Sequence, residues 1–226
     1  MKVVLDIETV QIPKAEWASL AGVSITDPQD LLEIAEGNQQ DKDYEKSAFD
    51  GTFSRIICIG LIVLTDSLEP QGSIAWYGAN EPELLKQFWA KIGQLRPALY
   101  ITHNGLGFDL PFIKKRSIIH QVKPAADISL AKFRTEPVYD TLAVWSNWEQ
   151  RGWIKLDVLA RALDVESKSG SGKQVGEMWA KGLGKDIAEY CLQDTYVTYA
   201  CYCRMNFRQL HSRDVVLFHR ELIEVN

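Results

Sequence analysis

Two strongly apolar segments most constrain what this chain can fold into. Residues 2–7 (KVVLDI) form a β-branched run that ends in acidic positions, and residues 55–65 (RIICIGLIVLT) form a longer one. Runs of this composition are typical of strands that are buried on both faces. The shorter segments 73–77 and 98–102 also predict strands. The first half of the chain therefore predicts a central β-sheet.

Helical periodicity dominates the remaining chain. Residues 81–94 open with Glu-Pro-Glu and repeat apolar positions at helical spacing, which predicts a helix. An acid followed by a proline in the first turn predicts another helix over 109–117. Everything from about residue 139 is predicted to be helical, over 140–149, 155–163, 174–181 and 185–209. Strands followed by helices predict an α+β or mixed α/β sandwich.

One long segment between the first two strands lacks a regular pattern. It shows mixed helical patterning at 30–36 and then becomes very polar. We predict a single domain over residues 1–226 with an insertion at about 13–50, mobile over 37–50. The Gly- and Ser-rich stretch 168–173 is predicted to be a flexible connector, because a Walker loop needs Ser or Thr after its lysine. A substrate-contacting loop is the alternative.

Composition restricts the setting in which the chain works. Apolar residues make up 46% and charged residues 24%, as in soluble globular proteins, and no apolar run approaches the ~20 residues of a membrane span. We therefore expect a cytoplasmic protein without a membrane partner. A net charge of −5 argues against a large basic footprint for long nucleic acid, although bound cations could supply a local positive field. The cysteines lack zinc-type spacing and are expected to be buried or idle thiols: Cys58, Cys191, Cys201 and Cys203.

Three local patterns carry candidate chemistry. Asp6 and Glu8 are two residues apart in a strand, so both side chains project from one face at its end. Asp109 follows a strand-to-helix junction that contains two glycines. Tyr190 and Asp194 are four residues apart and share one face of a helix. A solvated strand end, a helix N-cap and an exposed helix face would explain each pattern alone, but their combination favours a shared site.

The order Asp-Ile-Glu-Thr, Asn-Gly-x-x-Phe-Asp and Tyr-x-x-x-Asp resembles the three exonuclease motifs of the DEDD superfamily. The last motif indicates the tyrosine branch, because the histidine branch would place His where Glu189 stands. The chain is similar, over most of 1–12 and 53–210, to stand-alone predicted exonucleases related to the proofreading domain of family B DNA polymerases. The resemblance implies an RNase H-like α/β fold, with a mixed central β-sheet flanked by helices. Any polymerase or repair partner would be a separate protein.

The resemblance also implies an activity: metal-dependent 3′-5′ exonuclease action on the 3′ end of single-stranded nucleic acid, with DNA favoured over RNA. It assigns two Mg²⁺ or Mn²⁺ ions to four carboxylates, with Asp6 bridging both ions, Glu8 and Asp194 serving the water-activating one, and Asp109 acting through the outer shell of the second. Oxygen ligands suit these hard cations better than they suit zinc. Tyr190, with an ordinary pKa near 10, is predicted to orient the attacking water rather than to act as a general base.

The substrate-binding residues are predicted to surround the end of the first strand. The backbone near Thr9 and Val10 should contact the terminal nucleotide, with Asn104 and Phe108 lining the floor. Aromatic stacking tolerates any base, so we expect little sequence preference.

Neighbouring residues are assigned mainly to structure. His103 is predicted to be a structural hydrogen-bonding residue, and Asp140 a helix cap or a support for the metal ligands. Two groups are predicted to be solvated, with phosphate contacts as the alternative: Lys114, Lys115 and Arg116, and the pair Lys132 and Arg134. Three tryptophans are expected in the core and in interfaces rather than as base platforms: Trp145, Trp148 and Trp153.

Two other interpretations stay open. A non-catalytic module could use the same fold to bind nucleic-acid ends or a partner protein, although the intact acids disfavour it. An RNase H-like endonuclease would share the carboxylate chemistry but would not be expected to carry the Tyr-x-x-x-Asp helix.

Overall fold

The structure is a computed structural model that describes residues 1–23, 39–166 and 174–226, and these residues build one six-stranded sheet. Its strands are β1 (Lys2–Gln11), β2 (Ser54–Leu64), β3 (Pro70–Tyr77), β4 (Leu99–Thr102), β5 (Val138–Asp140) and β6 (Arg220–Glu224). Their order across the sheet is β5-β4-β1-β2-β3-β6. β1 pairs antiparallel with β2 and parallel with β4, and β3 is antiparallel to β2 but parallel to β6. The mixed sheet confirms the predicted α/β fold class.

Helices cover both faces of this sheet. They are α1 (Lys14–Ala21), α2 (Gln39–Ser47), α3 (Glu81–Leu95), α4 (Asp109–Ile119), α5 (Thr141–Trp145), α6 (Leu156–Ala162), α7 (Gln174–Ala180), α8 (Gly184–Met205) and α9 (Arg213–Val216). Among the helices that the structure describes, none is both long and apolar enough to cross a membrane.

Alternation along β1 separates two hydrophobic cores. Val3, Leu5 and Ile7 belong to the core under α3 and α4, whereas Val4 belongs to the core under α6, α7 and α8. Side chains two apart in a strand share a face, so Asp6 and Glu8 lie on the α8 side of the sheet. The strand that contains the predicted acids is therefore central and faces the longest helix.

The second half of the chain is not wholly helical, and that prediction is wrong in two places. β6 pairs with β3 at the edge of the sheet, and Val225 N donates to Tyr77 O over 2.8 Å. Its sequence, RELIE, is mostly charged and has no apolar run. Helix α5 ends at Trp145 instead of continuing to 149, because Asn147 and Trp148 adopt left-handed backbone angles with φ of 50° and 64°.

The described part of the predicted insertion attaches to the end of β1. Ile12, Trp17 and Ala18 form a small core with Tyr44 and Phe53. The Tyr44 hydroxyl donates to Ile12 O over 2.8 Å, which ties α2 to the strand. The predicted helical patterning at 30–36 and the predicted connector at 168–173 lie outside the described residues.

A buried ion pair fixes α4 against α3 and β2. The Glu81 carboxylate accepts from Arg116 Nη2 over 2.6 Å, from Arg116 Nε over 2.9 Å and from Ile56 N over 2.8 Å. Arg116 also donates to Gly51 O. The prediction of a solvated or phosphate-contacting Arg116 is therefore wrong, because its guanidinium is buried with Glu81. This network orients the helix whose first residue is Asp109.

We predict that Glu81→Gln lowers the free energy of unfolding by about 3 kcal/mol, because it leaves the Arg116 charge buried without a countercharge. Asp50→Asn is the matched control, since Asp50 pairs with Lys115 at an exposed site, where such pairs contribute about 1 kcal/mol or less. Urea denaturation of both variants checks this. Equal small losses would contradict a buried anchoring role.

Candidate functional site

The end of β1 emerges from the sheet at the site. Pairing of β1 with β4 covers Lys2–Val4, whereas pairing with β2 continues to Gln11, with a register shift between Glu8 and Thr9. Asp6 and Glu8 lie where β1 has passed the end of β4, and both are half-buried. The strand therefore presents two carboxylates at a partly open edge.

Asp109 reaches this edge from the opposite face of the sheet. It is the first residue of α4 and is buried, and its Oδ1 accepts a hydrogen bond from Ile7 N over 3.1 Å. The N-cap residue of α4 is Phe108, whose side chain makes no cap hydrogen bond. The carboxylate of Asp109 therefore binds the backbone between Asp6 and Glu8, so helix capping does not account for it.

Asp140 holds the loop that leads to Asp109. Its buried carboxylate accepts from Asn104 N over 2.9 Å and Leu106 N over 3.0 Å, and from Leu142 N and Ala143 N at the start of α5. The predicted capping role is confirmed. The same carboxylate also fixes the loop before Asp109, which the sequence did not indicate.

His103 supports the same region. Its Nδ1 lies 2.9 Å from Thr141 Oγ1 and its Nε2 lies 3.3 Å from Ile154 O, and burial lowers its pKa. The imidazole is therefore a neutral structural group, as predicted.

Helix α8 approaches the sheet closely enough to bring Tyr190 and Asp194 over β1. Gly60 is the β2 partner of Asp6, and a Cβ at position 60 would lie 2.8 Å from both Cys191 Sγ and Thr195 Oγ1. Any side chain there would push the helix away. Sequence reasoning missed Gly60, although a glycine inside a β-branched strand is a recognised signal of close backbone approach.

Cys191 is a neighbour of the acids that the sequence did not single out. The ligand atoms of Asp6, Glu8 and Cys191 lie within 4.8 Å of one another, with Cys191 Sγ 3.6 Å from Asp6 Oδ2. Burial raises the pKa of the Cys191 thiol well above its usual range. The group therefore stays protonated and donates to Asp6. The cysteines are all buried as predicted, but this one is not idle.

The carboxylates repel one another inside the protein. Burial raises the pKa of Asp6 well above its usual range, and the charges of Asp109, Glu8 and Asp194 raise it further. Burial also raises the pKa of Asp109 to about 7, against hydrogen bonds from its own N–H and from Ile7 that lower it. The described structure thus brings the four predicted acids into one electrostatic cluster, with Asp6 at its centre.

This cluster fits a divalent cation. Its donors are carboxylate oxygens, which hard cations prefer, and the neighbouring thiol is protonated and so is a poor ligand. A bound cation would compensate the repulsion that raises the pKa of Asp6. Asp6 and Glu8 have ligand atoms close enough to share such an ion, and Asp109 and Asp194 add negative charge to the same cluster.

The predicted substrate residues lie in two different cavities. Thr9, Val10 and Phe108 line a cavity of about 760 Å³ beside Glu8, with Phe49 and Trp179 as further walls. Neither of these two aromatics was indicated by a sequence pattern, because one belongs to the predicted insertion and the other to α7. Asn104 lines a second cavity instead. Asn104 and Phe108 therefore line different cavities, and their joint contact with the nucleotide stays a prediction.

Known proteins provide an independent comparison. The sequence model of one family, described as "predicted 3′-5′ exonuclease related to the exonuclease domain of PolB", matches residues 47–214. A DNA polymerase of Pyrococcus glycovorans is 29% identical over 140 residues, which cover 54% of this chain and 18% of the polymerase. A DNA polymerase epsilon catalytic chain of Arabidopsis thaliana is 43% identical over 44 residues, which cover 20% of this chain and 2% of that protein. The chain thus spans less than a fifth of the length of these relatives. The mixed sheet with flanking helices agrees with the RNase H-like fold of such domains.

Two buried aspartates should respond oppositely to replacement by asparagine. The pKa of Asp109 is about 7 in the folded chain, whereas an unfolded aspartate has a pKa of about 4. Between these values the folded state binds more protons, so the free energy of unfolding falls as the pH rises. Asp109→Asn should therefore stabilise the metal-free protein at pH 8 but not at pH 4.

Asp140→Asn should instead lower the free energy of unfolding by about 2 kcal/mol at pH 8, because an amide N–H₂ would face backbone donors. Urea unfolding in EDTA measures both variants. A pH-independent loss for Asp109→Asn would contradict its raised pKa.

Proposed function

This chain belongs to the family of predicted 3′-5′ exonucleases related to the exonuclease domain of PolB, and on that basis we propose that it hydrolyses phosphodiester bonds from the 3′ end of single-stranded nucleic acid. The observation that carries the proposal is the cluster around Asp6, whose pKa is raised by burial and by three other carboxylates. Such a cluster has a clear use as a cation site and little value for stability. DNA is favoured over RNA because the relatives are DNA polymerases.

Two divalent cations, Mg²⁺ or Mn²⁺, are the proposed cofactors. When bound, such ions lower the pKa of a water molecule and stabilise the leaving 3′-oxygen. Asp6 is proposed to serve both ions, since it interacts with all three other acids. Glu8 and Asp194 would serve the ion on the water side, and Asp109 would act on the other ion from its outer shell.

Tyr190 is proposed to orient the attacking water. Burial raises the pKa of its hydroxyl above the ordinary value, and Asp194 raises it further through its charge and through a hydrogen bond. The hydroxyl therefore keeps its proton at neutral pH and can hold a water molecule by hydrogen bonding. This argues against Tyr190 as a general base.

The terminal nucleotide is proposed to occupy the cavity of about 760 Å³ beside Glu8. Thr9 and Val10 form one wall, and Phe108, Phe49 and Trp179 offer aromatic surfaces for a base of any identity. Because this wall includes Phe49, the insertion at 13–50 would contribute to substrate binding within a single domain over 1–226.

The central test incubates 5′-labelled single-stranded DNA and RNA with the protein and Mg²⁺ or Mn²⁺. We expect stepwise shortening from the 3′ end, abolished by EDTA and lowered about 10²-fold or more in Asp6→Asn, because that variant loses the carboxylate central to the proposed metal site. Asp214→Asn is the control, since this exposed acid lies in α9, outside the acidic cluster.

Other products would identify another function. Internal cuts would indicate an endonuclease, and binding of 3′ ends without cleavage would indicate a non-catalytic module. Either result would refute the proposal.

A second prediction concerns Tyr190→Phe. Removing the hydroxyl should lower kcat by at least about tenfold, because the water loses its orienting group, while Mn²⁺ affinity changes little. The pH dependence of kcat between pH 5 and 9 should keep its shape, since Tyr190 does not titrate there. Full activity, or loss of the basic limb of a bell-shaped profile, would contradict an orienting role.

A further inference from the structure

An exposed aromatic and basic surface lies on the other side of the loop that carries Phe108. We propose that it is a second base-binding site, which holds a nucleotide upstream of the 3′ end, and we call it the upstream subsite. The residues that line it include Asn104, Gly107, Lys132, Phe133, Trp148 and Trp153. The inference rests on the proposed function and identifies where the rest of the substrate strand lies.

Large aromatic side chains are unusually exposed here. The upstream subsite is a cavity of about 190 Å³. Phe133 is 77% exposed and Trp153 is 51% exposed, and the rings of Phe133 and Trp148 lie 5.4 Å apart at 45°. The three tryptophans were predicted in the core and in interfaces, and the core part of that prediction is wrong, since Trp145 and Trp153 are open to solvent and Trp148 is only half-buried. Exposed apolar surface of this kind marks a binding site more often than a structural one.

The backbone is held in an uncommon conformation at three of these residues. Asn104, Phe133 and Trp148 have φ values of 65°, 62° and 64°. Left-handed angles are tolerated by asparagine but are rare for bulky residues. Such strain is concentrated at ligand-binding sites, where it holds side chains in orientations that a relaxed loop would not give them. Here two of the three strained residues, Phe133 and Trp148, carry the rings that lie beside each other.

The charge beside the rings selects the kind of ligand. Lys132 lines the cavity, and Arg134 is exposed two residues further along. The whole chain has a net charge of −5, so this local pair of cations is not part of a general basic surface. Rings stack on nucleobases, and cations contact phosphates. A single-stranded nucleotide uses both groups, whereas an apolar peptide would use only the rings.

The position of the upstream subsite matches a strand that enters the proposed active site. Gly107 lines the upstream subsite, and the next residue, Phe108, lines the cavity proposed for the terminal nucleotide. Asp109 follows directly. Gly107 is exposed, and a Cβ there would lie 2.6 Å from Asn104 Oδ1. A nucleic-acid strand that crosses the backbone at Gly107 and Phe108 would place one base in each cavity and the phosphate between them near Asp109.

The test compares Phe133→Ala with Phe218→Ala, a matched control because Phe218 is 75% exposed and lies outside both cavities. Binding of fluorescein-labelled single-stranded DNA and RNA 12-mers is measured by anisotropy in EDTA. We expect Phe133→Ala to raise Kd about tenfold, as loss of one stacked base does. Phe133→Trp should bind with the wild-type Kd, because tryptophan keeps an aromatic ring at this position, and Phe218→Ala should leave the Kd unchanged. Thermal denaturation checks that each variant folds.

Cleavage assays separate this inference from the proposed function. With Mg²⁺, the ratio of kcat/KM for a 12-mer to that for the same 12-mer with an abasic penultimate residue should fall about tenfold in Phe133→Ala, because the abasic strand has no base to stack in the upstream subsite. Wild-type cleavage with no difference between the two alanine variants would overturn the subsite and leave the exonuclease proposal intact. If Phe133→Ala loses binding but the wild type does not cleave, the subsite is supported and the exonuclease proposal is overturned. If the wild type binds neither 12-mer, the subsite is also overturned.

Discussion

The close approach of α8 to β2 is the constraint on which the site depends. Gly60 has no side chain, so Cys191 and Thr195 rest directly on the strand beside Asp6. This contact places Tyr190 and Asp194 above the end of β1. An extra methyl group in a well-packed core forces neighbouring side chains and backbone to move, which typically costs about 1–3 kcal/mol of stability. Even an alanine at position 60 would therefore disturb both the packing and the site. The acids can share one site because Gly60, which takes no part in the chemistry, has no side chain.

The protein holds its buried charges in two contrasting ways. Glu81 is matched to Arg116 and to backbone donors, and that network fixes α4. Asp6 is surrounded by other carboxylates, and a thiol donates to it. The first arrangement serves stability. The second leaves the folded chain dependent on protons or cations, which is the expected compromise at a site that must bind metal.

Elements with local signals were predictable from the sequence. β1, β2 and α3 followed from apolar runs and helical periodicity, and the carboxylates that cluster came from three short patterns. β6 could not be predicted, because it is stabilised by pairing with a strand far away in sequence rather than by its own composition. The exposure of Trp153 and the division between Asn104 and Phe108 also escaped prediction. The left-handed backbone angles of Phe133 and Trp148 could not be predicted either, because bulky residues rarely adopt them.

The register shift between Glu8 and Thr9 divides one strand into two parts with different roles. Before it, the apolar side chains Val3, Val4, Leu5 and Ile7 are buried in the sheet. After it, Thr9 and Val10 form the wall of a cavity. A bulge changes the direction and twist of the strand that continues through it. Tolerance to substitution should therefore change within this one strand. Substitutions before the shift would destabilise the whole domain, whereas substitutions at Thr9 would mainly alter what the cavity accepts.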